Sequence, residues 1–293
     1  MHKIIVITGP TAVGKTKLSI ELAKKYDGEI INADAVQVYK GLDIGSAKVT
    51  GEEKEGIPHH LLDFKEVTEE YTIYHYQKDC REKIKEIQSR NKTPILVGGT
   101  GLYIKAALYD YKLSEEKSTN TYDNLTNEEL YEELKKLDKD IIIDKENRRR
   151  LIRAINYYKE NNESINKNKT NKLLYNVIFI GLTTDRQVLY DKINKRVDEM
   201  ISQGLLEEVK FFYDKGIKSK PLLNAIGYRE IYNYLDGNCT KEEAIEKIKQ
   251  NSRHYAKRQY TFFNHQLPVV WFETDYNNFN NTIEKVTSYI DNN

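Results

Sequence analysis

Residues 9–16 read GPTAVGKT and follow directly on the apolar run Ile4-Ile5-Val6-Ile7. A strand that runs into a glycine-bearing turn and then into a helix aims successive backbone N–H groups, and the positive end of the helix dipole, at a bound polyphosphate. Gly9 and Gly14 allow backbone angles that a side chain forbids, Lys15 supplies a cation, and the Thr16 hydroxyl can ligate Mg²⁺. A chance glycine turn is disfavoured by its context, because the sequence after it, Lys17-Leu18-Ser19-Ile20-Glu21-Leu22-Ala23, reads as a helix. Gly9, Pro10, Thr11, Ala12, Val13, Gly14, Lys15 and Thr16 are therefore read as a cradle for a diphosphate or triphosphate. The loop alone leaves open what happens to that group.

Short β-branched runs recur at residues 4–7, 29–32, 94–97 and 177–180, with helical patterns between the early ones. Apolar strands separated by helices predict a parallel sheet flanked by helices, and 293 residues suffice for one such α/β domain with a smaller insert. Tyr76, Cys80, Ile84 and Ile87 mark the core face of the helix before the third strand. From about Tyr111 to Asn176 strand signals vanish, Asn, Lys and Glu dominate, and helical patterns appear at residues 125–137 and 148–158. The expected division is a catalytic core of residues 1–110 plus 177–293 and a mainly helical insert of residues 111–176. The insert's tail, ENNESINKNKTNK, is close to low complexity and reads as a mobile loop. Further on, residues 190–213 and 241–263 read as helical, residues 269–272 as a last strand, and residues 280–290 as a peripheral helix.

Lys and Arg number 46 against 45 Asp and Glu, so the chain is no polycation and any nucleic-acid contact must come from local patches. Cys80 and Cys239 stand too far apart, and are too few, for a disulfide framework or a structural zinc site. The first apolar stretch is too short for a signal peptide or a membrane span, which makes a cytoplasmic protein with no membrane partner the expectation.

Asp34 follows the second strand, which places a carboxylate at the C-terminal edge of the sheet where open α/β sheets bind ligands. It is read either as a turn aspartate or as a group that holds Mg²⁺ or takes a proton. The third strand ends in VGGTGLYIKA, where Gly98 and Gly99 let another chain or a ligand come close and Thr100 can donate a hydrogen bond. His59 and His60 are adjacent on an extended segment, so they point to opposite sides and do not share a metal. Two basic clusters stand out, Lys145, Arg148, Arg149, Arg150 and Arg153, then Arg253, Lys257 and Arg258 beside Tyr255, Tyr260, Phe262 and Phe263. Arginines interleaved with aromatics suit phosphate contact and base stacking, although a charge run is more often a solvated helix face. Arg196 lies on a helix and could face inward.

The segments GPTAVGKT, ADAVQVYKGLDIGSAK, IPHHLLDF, VGGTGLYIKA, NRRRLIRAI, INKRVDEMISQGLLEEV, NAIGYRE and SRHYAKRQYTFF cover nearly the whole chain. In order and approximate spacing they resemble the tRNA dimethylallyltransferases, the tRNA isopentenyltransferase family. The resemblance implies a P-loop NTPase-like core and transfer of a prenyl group from dimethylallyl diphosphate to the exocyclic N6 amine of the adenosine 3′ of the anticodon, in tRNAs reading U-starting codons. It implies Mg²⁺ as cofactor, held through Thr16, and the tRNA anticodon stem-loop as partner of a chain expected to act as a monomer. Asp34 matches the family's catalytic aspartate, and Lys15 and Arg196 match groups that meet the diphosphate. Thr100 matches a position facing the target nucleotide. Contact with the tRNA is implied for Asp34, Ala35, Val36 and Gln37, for Arg149, Arg150, Leu151, Ile152 and Arg153, and for Asn224, Ala225, Ile226, Gly227, Tyr228 and Arg229.

The chain departs from the family pattern at Ala35, where serine is usual, at Ser46, where threonine is usual, and at Phe262, where tryptophan is common. The insert also looks short between Leu108 and Leu130. Two rival readings remain, a small-molecule phosphotransferase using ATP, which the phosphate loop alone would support, and an RNA-binding module with a degenerate loop, against which the intact Lys15 and Thr16 argue.

Overall fold

The computed structural model describes residues 3–111, 113, 122–166 and 171–293 and divides into two compact units, residues Met1–Leu108 with Tyr175–Asn293, and residues Tyr109–Leu174. The β-branched runs of the first unit become β1 (Ile4–Thr8), β2 (Gly28–Asn32), β4 (Thr93–Val97) and β5 (Val177–Thr183), joined by the edge strands β3 (His59–His60) and β6 (Val270–Glu273). The order is β3-β2-β4-β1-β5-β6, and every pairing is parallel. Ile7 pairs with Val97 and Ile180, and Asn32 with Val97, so β1, β2 and β4 finish at one edge. The loops at residues 9–14, 33–37 and 98–100 all leave from that edge.

The helices that flank this sheet are α1 (Lys15–Lys25), α2 (Ile73–Ser89) and α3 (Gly101–Leu108) before the second unit. The second unit contributes α4 (Asn127–Leu137) and α5 (Arg148–Asn161). After it come α6 (Arg186–Ser202), α7 (Leu205–Asp214), α8 (Lys220–Asn224), α9 (Tyr228–Leu235), α10 (Lys241–Gln266) and α11 (Phe279–Asp291). Ile5, Ile7, Leu18, Leu22, Ile95, Ile180, Ile193 and Ala256 bring strands and helices into one apolar core. Each large side chain buried there contributes about 1.5–3 kcal/mol. The expected stripe of α2 is buried at Tyr76, Cys80, Ile84 and Ile87, with Tyr76 stacked on Tyr103 at a centroid distance of 4.1 Å. Cys80 and Cys239 are free thiols.

Three local features differ from expectation. The helical run at residues 190–213 is interrupted at Gly204, whose φ of 104° leaves the helical region, and so divides into α6 and α7. The terminal helix, expected to be peripheral, packs Val286 and Ile290 into the main core. Its Asn- and Thr-rich composition hides a single apolar face, Ile283, Val286 and Ile290, at helical spacing. The two residues of β3 are too few to show a periodicity.

In the second unit Leu130, Leu134, Ile141, Leu151, Ala154 and Ile155 form a separate core. A capping box opens α4, in which the Glu129 N–H donates to the Thr126 hydroxyl at 3.2 Å and the Thr126 N–H to Glu129 Oε2 at 2.7 Å. An isolated antiparallel bridge joins Tyr109 and Leu173. Of the low-complexity tail, residues 167–170 lie outside the described residues. Among the described residues no helix is long and apolar enough to cross a membrane.

Candidate functional site

The phosphate loop begins where β1 ends. Gly14 has φ 91° and no side chain caps the helix it precedes, so the first N–H groups of α1 are left for a ligand. The loop is held from outside by the segment between β6 and α11, since the Thr274 hydroxyl donates to the Val13 carbonyl at 3.0 Å and the Tyr276 hydroxyl to the Ala12 carbonyl at 3.3 Å. This bracing matters because Ala12, with φ 67°, occupies a conformation unfavourable for a residue bearing a Cβ. Lys15 Nζ turns back onto the loop and donates to the carbonyls of Pro10 at 2.6 Å and Gly9 at 3.1 Å. Burial of its ammonium, and next the Arg196 charge, pull its pKa down to about 7 against the opposing pull of Asp34. Thr16 is exposed at the start of α1, and its hydroxyl makes no hydrogen bond among the described residues.

Arg196 does face inward. From α6 its Nη1 donates to the Thr11 hydroxyl at 2.9 Å. Burial lowers its pKa, with Asp34, Glu53 and Glu199 acting the other way. Two cations therefore stand beside the loop of residues 9–16, close enough to feel one another and the Asp34 carboxylate.

Asp34 is a turn aspartate and something more. Its Oδ1 accepts from the N–H groups of Val36 at 2.8 Å and Gln37 at 3.3 Å, which shapes the loop. Among the described residues no hydrogen bond is made to Oδ2. Next to it, the Ala35 N–H donates to Thr100 Oγ1 at 3.0 Å and the Thr100 N–H to the Ala33 carbonyl at 3.1 Å, so the loops after β2 and β4 are stitched together. The chain that comes close at Gly98 is the backbone of Ala33, and at Gly99 it is the Gln259 amide, which donates to the Gly99 carbonyl at 3.1 Å. Tyr255, one turn before Gln259 on α10, lies against Thr100 and Gln259. Burial, and then the Asp34 charge, raise its pKa. Sequence reasoning placed Tyr255 in an aromatic and basic patch and missed Gln259. The i, i+4 spacing of the two on α10 puts them on one helix face, but no local signal tells which sheet loop that face meets.

The basic clusters divide into exposed and internally engaged groups. Arg149 and Arg150 are exposed, and Arg153 lies over the Tyr111 ring at 6.0 Å. Arg148 is spent internally, its guanidinium donating to the carbonyls of Leu125 and Tyr122 at 2.5 and 2.6 Å. The Leu151 side chain is wholly buried in the core of the second unit and Ile152 is half-buried, so the contact expected of Leu151 does not pass through its side chain. Asn224 and Arg229 are exposed, Ile226 is half-buried, and Ala225, Gly227 and Tyr228 are buried. In the second cluster Arg253 ties α10 to α6 through Asn194 Oδ1 at 2.6 Å, Tyr260 meets Thr183 at 2.8 Å and Phe263 is core. Lys257 and Arg258 stay exposed. The two histidines are engaged apart, His60 Nε2 with Glu29 Oε2 at 2.6 Å and His59 Nδ1 with the Ile57 carbonyl at 2.8 Å.

Residues 37–266 match the sequence model of a family described as IPP transferase. The tRNA dimethylallyltransferases of Anoxybacillus flavithermus and Geobacillus thermodenitrificans are 50% and 48% identical to the chain, each alignment covering 99% of this chain and 96% of the relative. Among solved structures, the tRNA isopentenylpyrophosphate transferase of Bacillus halodurans superposes with a TM-score of 0.78 at 42% identity, covering 100% of this chain and 96% of that one. A eukaryotic dimethylallyltransferase acting on tRNA gives a TM-score of 0.87 at 29% identity, covering 100% of this chain and 80% of that one.

Proposed function

The chain belongs to the IPP transferase family of tRNA dimethylallyltransferases, and we propose on that premise that it moves the dimethylallyl group of dimethylallyl diphosphate onto N6 of the adenosine 3′ of the anticodon, in tRNAs reading U-starting codons. The observation that carries the assignment of roles is that Lys15 and Arg196 lie within electrostatic reach of Asp34 at one sheet edge, with one oxygen of Asp34 unused among the described residues. An adenine amine is a poor nucleophile because its lone pair is delocalised into the ring. As the N6–C bond forms, an N6–H proton passes to Asp34 Oδ2, the C–O bond of the substrate breaks, and diphosphate leaves with the electron pair. General-base help of this kind is worth on the order of 10²–10⁴ in rate. Charge developing on the leaving group falls on backbone N–H groups of the loop after Pro10, on Lys15 and on Arg196.

Mg²⁺ keeps several waters and binds through one or two protein groups together with substrate phosphates, and the exposed Thr16 hydroxyl fits that pattern. When bound, the ion neutralises part of the diphosphate charge. Thr100 faces the acceptor nucleotide while holding the Ala35 N–H. Splaying an adenine out of an anticodon loop is easier than extracting it from a duplex, and the exposed Arg149 and Arg150 offer phosphate contacts for the stem. The RNA substrate puts this work in the cytoplasm. Mass spectrometry of nucleosides from unmodified tRNA incubated with the protein, Mg²⁺ and dimethylallyl diphosphate tests the proposal. A gain of one prenyl unit on adenosine is expected, and its absence overturns the assignment.

A further inference from the structure

Glu208, on α7, has no part in the chemistry above, yet four donors converge on its carboxylate. Oε2 accepts from the N–H groups of Asp43 at 3.1 Å and Ile44 at 2.8 Å, while Oε1 accepts from the Gly45 N–H at 3.1 Å and from the Tyr228 hydroxyl at 2.5 Å. The first three are successive amides of the loop that follows Asp34, and such a run of N–H groups is a natural seat for an anion. The fourth belongs to the segment at residues 224–229, distant in sequence. Tyr228 is fully buried, and its ring lies so close to Gly45 that a Cβ there would stand 2.5 Å from it. Burial, and next the Glu208 charge, raise the Tyr228 pKa, which keeps the hydroxyl a donor.

The pinned loop is itself coupled to the site. Gln37 Nε2 donates to the carbonyls of Ser46 at 3.0 Å and Ala47 at 3.2 Å, and the Gln37 N–H bonds Asp34 Oδ1. On the other side, the Gly227 N–H donates to Glu230 Oε2 at 2.8 Å, which sets the turn that presents Asn224 and Arg229 to solvent. We infer that Glu208 is a positioning residue for the RNA substrate, the joint that holds Gln37 and the segment at residues 224–229 in a single arrangement. This rests on the function proposed above. Among the described residues no hydrogen bond of Glu208 reaches residues 9–16, so its effect belongs to the RNA and leaves the prenyl diphosphate alone.

The test is steady-state prenylation by the full chain with unmodified tRNA and dimethylallyl diphosphate, comparing wild type with Glu208→Gln and Tyr228→Phe. Glu208→Gln retains one acceptor oxygen but sets an amide NH₂ against an N–H donor, and Tyr228→Phe removes one donor from an intact carboxylate. A loss confined to RNA binding raises KM for tRNA by about tenfold in Glu208→Gln and less in Tyr228→Phe, with KM for dimethylallyl diphosphate unchanged. If Glu208→Gln does not fold, Tyr228→Phe decides the matter by the same readout. An active wild type whose folded variants keep the normal KM for tRNA overturns the inference and leaves the proposed function standing, as does a fall in melting temperature with both KM values unchanged. A wild type that attaches no prenyl unit overturns the function itself, and the inference with it.

Discussion

Arg196 Nη1 donates to Thr11 Oγ1 at 2.9 Å, joining α6 to a loop 185 positions earlier in the chain. The contact brings a guanidinium within electrostatic reach of the Lys15 ammonium, and in the proposed reaction the diphosphate relieves the repulsion between them. Replacing Arg196 with Met therefore raises KM for dimethylallyl diphosphate by at least about tenfold, the loss expected for one hydrogen bond to a charged group. Arg196→Lys does not restore it, because a compact ammonium cannot meet Thr11 and the diphosphate together. Initial-rate kinetics at saturating tRNA measure both.

Lys15 gives the site a pH dependence whose sign is set. In the free protein its pKa is about 7, below the ordinary 10.5, so the ammonium is largely lost as pH rises through 7. A bound diphosphate favours the charged form and draws a proton back. Affinity for inorganic diphosphate, measured by calorimetry without Mg²⁺, falls as pH is raised from 6 to 9, and binding at pH 8 takes up a proton. In Lys15→Met the affinity is weaker and this part of the pH dependence disappears. A pH profile identical in both proteins would count against the assignment.

Asp34→Asn keeps the Oδ1 acceptor for Val36 and Gln37, so the turn survives while the proposed base is removed. Turnover falls by about 10²–10⁴ with little change in tRNA binding. Asp34→Ala loses the turn as well and weakens tRNA binding besides. Near-normal turnover in Asp34→Asn would take the base role away from Asp34.

Thr100→Val removes the acceptor of the Ala35 N–H and leaves that donor unpaired at the site. The expected loss in kcat is about tenfold, since an unsatisfied donor costs about 1–3 kcal/mol. Thr100→Ser, which keeps the hydroxyl, recovers most of the activity. Rapid-quench measurement of the prenyl-transfer step distinguishes the two.

Away from the site, Glu29 is almost wholly buried. Burial pushes its carboxyl up, but hydrogen bonds from His60 and Arg90, with their charges, hold it below the usual 4.5. A depressed folded pKa contributes stability that is present above the unfolded value and lost as pH falls through the folded one. Thermal melts below pH 4.5 should therefore decline more steeply with falling pH in wild type than in Glu29→Gln.

Much of the scaffold was legible because it is written in short patterns. The β-branched runs name β1, β2, β4 and β5, the apolar stripe of α2 names its buried face, and GPTAVGKT names the glycine-bearing turn between β1 and α1. Where expectation and structure part, the signal was either too short or masked by composition. Two residues cannot display the period of β3, and the Asn and Thr of α11 obscure the face that packs Val286 into the core. The basic clusters show the same limit, since Arg148 and Arg149 are neighbours in a run of like charge, yet one is an internal clamp and the other faces solvent.

By itself, the sequence determined the strand–turn–helix unit at residues 4–25, the parallel α/β architecture and the kinds of polar group at the sheet edge, because these depend on backbone freedom and on periodicities a few residues long. Tertiary structure alone decided which of those groups meet. Thr100 reaches Ala35 because β4 lies beside β2, and Arg196 reaches Thr11 because α6 follows β5, the other neighbour of β1. Tyr255, Gln259 and Glu208 sit on helices whose own patterns show only an inward face. Their partners follow from strand order and helix packing, and those are settled by burying apolar surface across the whole unit, information that no local stretch of chain carries.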